Sequence, residues 1–435
     1  MAGTQVNRES ARAVETPGGT GHDRANQVVI TGFGAITPAG NDRETTWRNL
    51  VAGNSAVGPI TAFDAGDMPV RIAAEVRGFD PADYLDRKRL RRTARFSQFA
   101  VAAAREAVAE AGLSVSAESA GRIGVVINAA AAGFDTVEAA TRQLLSVNAR
   151  PLSPYFVSSS LANMPACEVA IDLGIHGPVL ASALACASGT AALIQARQII
   201  LADEADAVIC GGTDASITPA MFAGLIPTGA LSRHNDDPAG ACRPFDAERD
   251  GFVYGEGAVI AVVESAEHAL GRGAIPYAVL AGGALTADAF HVSAARSDAA
   301  FAAEAIRQAL RRAGVGPTDV DYICAHATGT KAGDQAEVRA IRQAFGQSAE
   351  TVAVSAPKSI TGHLIGAAGA LGAMVCALAI RDGVAPPTIN LKNPDPECDL
   401  DCVPGAARPM PVRTAITNAF GFGGENCVAV LTAPS

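Results

Sequence analysis

Cys186 is the most reactive side chain in its sequence setting. It lies within PVLASALACASGTAALIQARQIILA (178–202), between a short run of apolar and small residues and a long Ala/Leu/Ile-rich stretch. The pattern reads as a buried strand feeding a buried helix through a tight turn. A thiol at a helix N-terminus meets unpaired N–H groups and the positive end of the helix dipole, and both favour the nucleophilic thiolate. Ala185, Ala187, Ser188 and Gly189 leave room beside it for a bulky acyl group. The same stretch also fits a structural cysteine, which is a small and inert hydrophobe.

Two of the seven histidines stand in comparable settings. His326 ends a predicted buried strand in CAHATGTKAGD, and His363 lies in PKSITGHLIGAAGA at the start of a small-residue helix. A cysteine with two histidines is a sensible set for acyl transfer. No His-x3-His pair or nearby carboxylate cluster accompanies them, so no metal site is expected. Lys358 precedes His363, and Asp334 and Glu337 follow His326. A half-buried lysine among carboxylates predicts an ion-paired network that holds and tunes the histidines; an ordinary surface salt bridge fits the same spacing. FGFGG (420–424) offers a backbone amide to a pocket, as an oxyanion hole requires, although a tight β-turn reads the same way.

The elements that must position these residues alternate along the chain. Strands running into turns are expected within VVITGFGAITPAG, RIGVVINAAAAGF and DAVICGGTDA, a strand at GAVIAVVES, and again at AVLAGGALTADAF, VDYICAH and the two arms of TAITNAFGFGGENCVAVL. Helices are expected over 45–53, 84–111, 134–147, 160–173, 266–272 and 297–314, with a polar loop at 233–257. The stretch 353–380 resembles the Cys186 stretch in kind: a polar junction, then a small-residue helix. This alternation predicts parallel α/β layers, and the echo between 27–272 and 273–435 suggests a duplication.

With 49% hydrophobic and 18% charged residues, the chain of 435 residues reads as densely packed rather than disordered. A net charge of −10 argues against general nucleic-acid binding. Against that background Arg87, Lys88, Arg89, Arg91, Arg92 and Arg95 form a dense basic cluster, either a solvated helix face or a dock for an acidic partner. Nine irregularly spaced cysteines without a CxxC pair suggest neither a disulfide framework nor zinc, which fits a reducing cytoplasm. Residues 1–26 read as a disordered polar leader rather than a signal peptide. The apolar run 364–380 suits a buried helix better than a membrane span.

Taken together, LACASG (184–189), RPFDAERDGFVYGEGA (243–258), AHATGT (325–330), PKSITGHLIGAAGA (357–370) and NAFGFGG (418–424) resemble the elongating β-ketoacyl-acyl-carrier-protein synthases of the thiolase superfamily, over nearly the whole chain. The resemblance implies a duplicated, five-layered α-β-α-β-α fold. It implies decarboxylative Claisen condensation of malonyl-carrier protein with an acyl group held on Cys186. His326 and His363 would bind the malonyl thioester, and the amides of Cys186 and Phe422 would form the oxyanion hole. Phe422 would also act as a gate. Lys358, Asp334 and Glu337 match a supporting network. Thr328 and Thr330 match contacts to the pantetheine arm, and Ala131, Phe156 and Phe420 match substrate-pocket positions. Arg87, Lys88, Arg91, Arg92 and Arg95 fall where an acidic acyl carrier protein docks. The resemblance implies no cofactor beyond the phosphopantetheine on that carrier, no nucleic-acid or membrane partner, and a dimer with itself or with a homologous subunit.

The chain departs from the family pattern at several points. Gly372 stands where a glutamate is usual, Leu184 and Glu425 where threonine is usual, and Ala131 where a larger apolar residue often limits chain length. These departures point to specialised type II polyketide or polyene biosynthesis; housekeeping fatty-acid elongation is the alternative. A non-catalytic chain-length-factor-like partner would lack Cys186. A thiolase would use a second cysteine, for which Cys427 is the candidate.

Overall fold

The computed structural model describes residues 27–147 and 150–434; the expected leader at 1–26 lies outside them. Ten strands pair into one mixed sheet. In the first half these are β1 (Val28–Ile36), β2 (Ile123–Asn128), β3 (Val179–Leu180), β4 (Ala207–Asp214) and β5 (Gly257–Ser265). In the second they are β6 (Ala278–Ala287), β7 (Tyr322–Cys324), β8 (Ala353–Ser355), β9 (Thr414–Gly421) and β10 (Glu425–Thr432).

The first half runs β3-β2-β4-β5-β1 and the second β8-β7-β9-β10-β6, which is the same order when each half is counted from its own start. In each half the first three neighbours in that order pair parallel and the last two join antiparallel. The two halves of the sheet join where β1 and β6 pair, Val29 opposite Val279 and Ile30 opposite Ala278. The echo read in the sequence is therefore a repeat of topology.

Side-chain alternation sorts the strands into layers. Val208, Cys210, Val259, Ala261 and Val263 face the middle of the molecule, and their neighbours Ala207, Ile209, Ala258, Ile260 and Val262 face outward. In the second half Ala415, Ala429 and Leu431 face the middle, and Ile416, Val428 and Val430 face outward. Helices α1 (Arg95–Ala111) and α2 (Met164–Leu173) cover the first outer face. Between the halves lie α3 (Ser188–Leu201) and α6 (Ala368–Asp382), and α4 (Ala300–Ala313) and α5 (Lys331–Phe345) cover the second outer face. The result is the five-layered α-β-α-β-α arrangement. Strands buried on both faces read as near-continuous apolar runs, as these do.

Bare backbone makes the layers fit. A Cβ on Gly32 would lie 2.3 Å from Ala107 O, and one on Gly282 would lie 2.7 Å from Ala309 O, so the first strand of each half packs against its long helix in the same way. The apolar run 364–380 contributes most of α6 and is buried between the two halves.

Three expectations change. The layers are mixed rather than parallel, because β5 joins β4 and β1, and β10 joins β9 and β6, antiparallel. The predicted helix 84–111 is broken: Asp86 caps a short helix Arg87–Leu90 by accepting from the Lys88 and Arg89 amides, and α1 starts afresh at Arg95. The stretch before Cys186 is not a buried strand. Only Val179–Leu180 are extended, at the sheet edge, and they are 38% and 48% exposed because nothing pairs beyond them among the described residues.

Candidate active site

Residues 185–187 form a tight turn ahead of α3, with Ala185 in the left-handed region at φ 43°. The Leu184 amide donates to Ser188 Oγ at 3.0 Å and fixes the turn. Cys186 projects into a cavity of about 1250 Å³ that Ala131, Thr328, Thr330, His326, His363, Phe420 and Phe422 also line. The helix start does not make the thiol acidic, as the sequence suggested. Burial pushes its pKa up to about 11, against the pull of Lys358 and of the Phe422 and Cys186 amides. The cause is desolvation of the charged form. Those two amides are the pair expected for the oxyanion hole, and both act on the sulfur.

His326 is held by its main chain. Its amide donates to Glu337 Oε1 at 2.8 Å, the Ala327 amide donates to Oε2 at 2.6 Å, and Asn418 Nδ2 donates to Oε1 at 3.0 Å. His363 is clamped by the 252–255 segment: its amide donates to Val253 O and its carbonyl accepts from the Gly255 amide, both at 2.8 Å. His363 Nδ1 accepts from the Ile365 amide at 3.2 Å, so the proton of the neutral ring sits on Nε2. That Nε2 and His326 Nδ1 are buried without a hydrogen-bond partner among the described residues. Burial, reinforced by Lys358, holds both rings well below the usual histidine range, and they are neutral at pH 7. The rings meet edge to face at 5.5 Å between centroids.

Cys186 Sγ and a ring nitrogen of each histidine lie within 4.8 Å of one another, a convergence that sequence spacing could not show. The ammonium of Lys358 beside them works against a metal ion at that spot.

The predicted ion-paired network takes a different form. Asp334 bonds to Arg249 Nε at 3.2 Å and to the Phe245 and Gly329 amides, and Glu337 is taken up by the His326 loop. The Lys358 ammonium forms no ion pair among the described residues, and it is 6% exposed. The carboxylates are already committed to backbone amides. At Gly372, a Cβ would lie 2.2 Å from Thr417 Oγ1, so Thr417 occupies the space beside it. Arg249 and Asn418 were missed. Arg249 is fully buried and also bonds Asp395 at 2.7 Å and the Asp246 and Lys331 carbonyls. The signal for Arg249 was a run of charge in a loop too ordered for a linker (233–257).

Phe156 does not line the cavity; it opens a short helix, Phe156–Ser160, flanked by exposed Tyr155 and Val157. The basic cluster divides. Arg89 pairs with Glu168 and Asp172, Arg92 with Glu168, and Arg95 with Glu256. Only Arg87, Lys88 and Arg91 are exposed, and none of these three has an ion pair among the described residues. Cys427 is sealed in the core and does not line the cavity, which removes the candidate for a thiolase's second cysteine.

A duplicated five-layered fold with one cysteine and two neutral histidines converging at the central helices defines a condensing acyltransferase. The model for "Beta-ketoacyl synthase, N-terminal domain" matches residues 25–269, and that for "Beta-ketoacyl synthase, C-terminal domain" matches 277–392. The 3-oxoacyl-[acyl-carrier-protein] synthase 2 of Synechocystis is 46% identical over 400 residues, covering 92% of this chain and 96% of the relative. A solved ishigamide ketosynthase/chain length factor aligns with TM-score 0.86 at 36% identity, over 94% of this chain and 99% of that one. A type II polyketide ketosynthase in complex with its acyl-carrier protein aligns with TM-score 0.86 at 32% identity, over 94% and 99%. The chain belongs to the β-ketoacyl synthase family, and it is a ketosynthase.

Proposed function

We propose that the enzyme performs decarboxylative Claisen condensation on carrier-bound acyl chains. The observation that carries the reading is the convergence of Cys186 with two neutral histidines in one cavity. The acyl carbonyl carbon bonds to Cys186 Sγ, and the pantetheine sulfur leaves with the proton. The malonyl thioester then enters. His363, through Nε2–H, and His326 hold its carbonyl oxygen while the bond to the carboxylate breaks, CO2 leaves, and the electron pair remains as an enolate. The carbanion attacks the Cys186 thioester, whose oxyanion the Cys186 and Phe422 amides receive. Sγ then departs and regains a proton. Phe422, 42% exposed at the cavity mouth, serves as the gate. Thr328 and Thr330 contact the pantetheine arm, and Lys358 reinforces the burial that keeps the histidines neutral. No cofactor is needed beyond the carrier's phosphopantetheine.

We further propose a specialised type II polyketide or polyene role in the cytoplasm. Ala130 and Ala131 line the cavity with small side chains, which supports it. A second reading, housekeeping fatty-acid elongation, is favoured by the 46% identity to a synthase 2. The partner is an acidic acyl carrier protein docking on Arg87, Lys88 and Arg91. The exposed edge strand β3, with Leu144, Leu145, Val157, Leu161 and Ile171 also exposed, supports a dimer with a second copy or a homologous subunit.

The test is a condensation assay with malonyl-carrier protein and a panel of acyl-carrier proteins, read by mass spectrometry, with Cys186→Ala as control. Extension of saturated chains by the protein alone supports the second reading. Activity restricted to unsaturated or polyketide intermediates supports the first. Absence of any Cys186-linked acyl group overturns both. Ala131→Phe shortens the longest chain accepted; unchanged selectivity overturns the role of Ala131.

A further inference from the structure

The repeat places a second turn opposite the one that carries Cys186. Residues 365–367 form it, opening with Ile365 at φ 51° and leading into α6 as residues 185–187 lead into α3. Position for position, Gly366 corresponds to Cys186. The Cys186 amide acts on the thiol together with that of Phe422, the residue that follows β9, the fourth strand of the other half. By the same exchange Gly366 should face the end of β4, the fourth strand of the first half, and it does. β4 ends at Asp214, whose Oδ2 accepts from the Gly366 amide at 2.8 Å. The place left open for a substrate oxygen in one half is filled by a protein carboxylate in the other.

Asp214 reaches further. Oδ2 also accepts from the Ala130 amide at 3.0 Å and Oδ1 from the Ala131 amide at 2.9 Å. It is fully buried and pairs with no cation among the described residues. Amides alone hold a carboxylate in an apolar interior, a costly placement that is often functional. A Cβ on Gly366 would lie 2.5 Å from Oδ2, so the turn is fitted to the carboxylate. Ala130 and Ala131 line the Cys186 cavity, on the side the function proposed above gives to the acyl chain, and the Ile365 amide beside Gly366 donates to His363 Nδ1. One carboxylate thus ties that side of the cavity to the turn that orients His363.

We infer that Asp214 is a positioning residue for malonyl decarboxylation, holding the His363 turn against the Ala130 and Ala131 side of the cavity so that Nε2–H meets the malonyl carbonyl; this rests on the function proposed above. Asp214→Asn and Asp214→Ala are compared with wild type in two separate measurements. One is CO2 release from malonyl-carrier protein without an acyl acceptor, and the other is single-turnover acylation of Cys186. In Asp214→Asn, decarboxylation falls about 10- to 100-fold, as a misplaced catalytic group does, and acylation stays within about threefold. In Asp214→Ala, formate restores decarboxylation in a saturable manner by occupying the three amides. A purely structural role lowers both half-reactions by one factor and gives no response to formate. Either of those results on folded protein overturns the inference, as does decarboxylation within about twofold of wild type in Asp214→Asn. If Asp214→Ala does not fold, the split in Asp214→Asn decides. Wild-type protein that releases no CO2 fails the reading of function instead, a different result.

Discussion

Cys186 shows how two local effects compete at one atom. Burial raises the thiol pKa, Lys358 and the Phe422 and Cys186 amides lower it, and burial wins, at about 11. A free thiol is the resting form, and thiolate grows with pH up to that value. Inactivation by iodoacetamide should therefore rise about tenfold per pH unit from 7 to 10, since only the thiolate reacts. A plateau near pH 8 would contradict this. Lys358 acts through the histidines. Its charge depresses both ring pKa values, so its removal moves them up toward the ordinary range. Lys358→Met should shift the acidic limb of the decarboxylation profile to higher pH, because protonated rings appear sooner as pH falls. An unmoved limb in the pH–rate profile would show that the ammonium does not tune the rings.

At the scale of elements, loops hold the site more than helices do. The polar segment 233–257 supplies Val253 and Gly255, which clamp His363, and Arg249, which ties the Thr330 turn to Asp334 and Asp395. Burial pushes Asp334 up to about 7 even beside Arg249, so the pair is expensive to place. Breaking such a pair from one side costs ~3–5 kcal/mol. Arg249→Ala should lower unfolding stability by an amount in that range, measured by denaturant titration at neutral pH, and loosen the cavity wall. A loss under ~1 kcal/mol would show that the pair is solvated in practice. The basic cluster is likewise decided by element boundaries. Because the helix is interrupted between Leu90 and Arg95, Arg89, Arg92 and Arg95 turn inward to carboxylates while Arg87, Lys88 and Arg91 stay outside.

At the scale of the molecule, the duplicated sheet leaves its two edges unequal. β8 is buried, whereas β3 is short, apolar and open. An open apolar edge is a template for pairing with another chain. Leu180→Glu should convert the proposed dimer to monomer in sedimentation at micromolar protein; an unchanged sedimentation coefficient would count against an interface at β3. The repeat also explains why the central helices carry glycine, at about 1 kcal/mol each relative to alanine. A Cβ on Gly369 would lie 2.3 Å from Thr190 Oγ1 and one on Gly189 2.5 Å from the Ala370 amide nitrogen, so the small residue is what lets α3 and α6 cross in contact.

The sequence by itself determined the strand and helix alternation, the doubled organisation, the cysteine, both histidines and the amide-bearing Gly loop. Each is written locally, as period-two or apolar runs, small-residue turns and motifs of fixed spacing. What only the tertiary structure decided are the partnerships. Glu337 is taken by the His326 loop rather than by Lys358, Asp334 goes to Arg249, Phe156 stays off the cavity, and Cys186 is a thiol. Hydrogen-bond partners and desolvation depend on what other segments bring to within a few ångströms. Asp214 bridges residues 130 and 366, and no pattern within a single stretch of chain could have paired them.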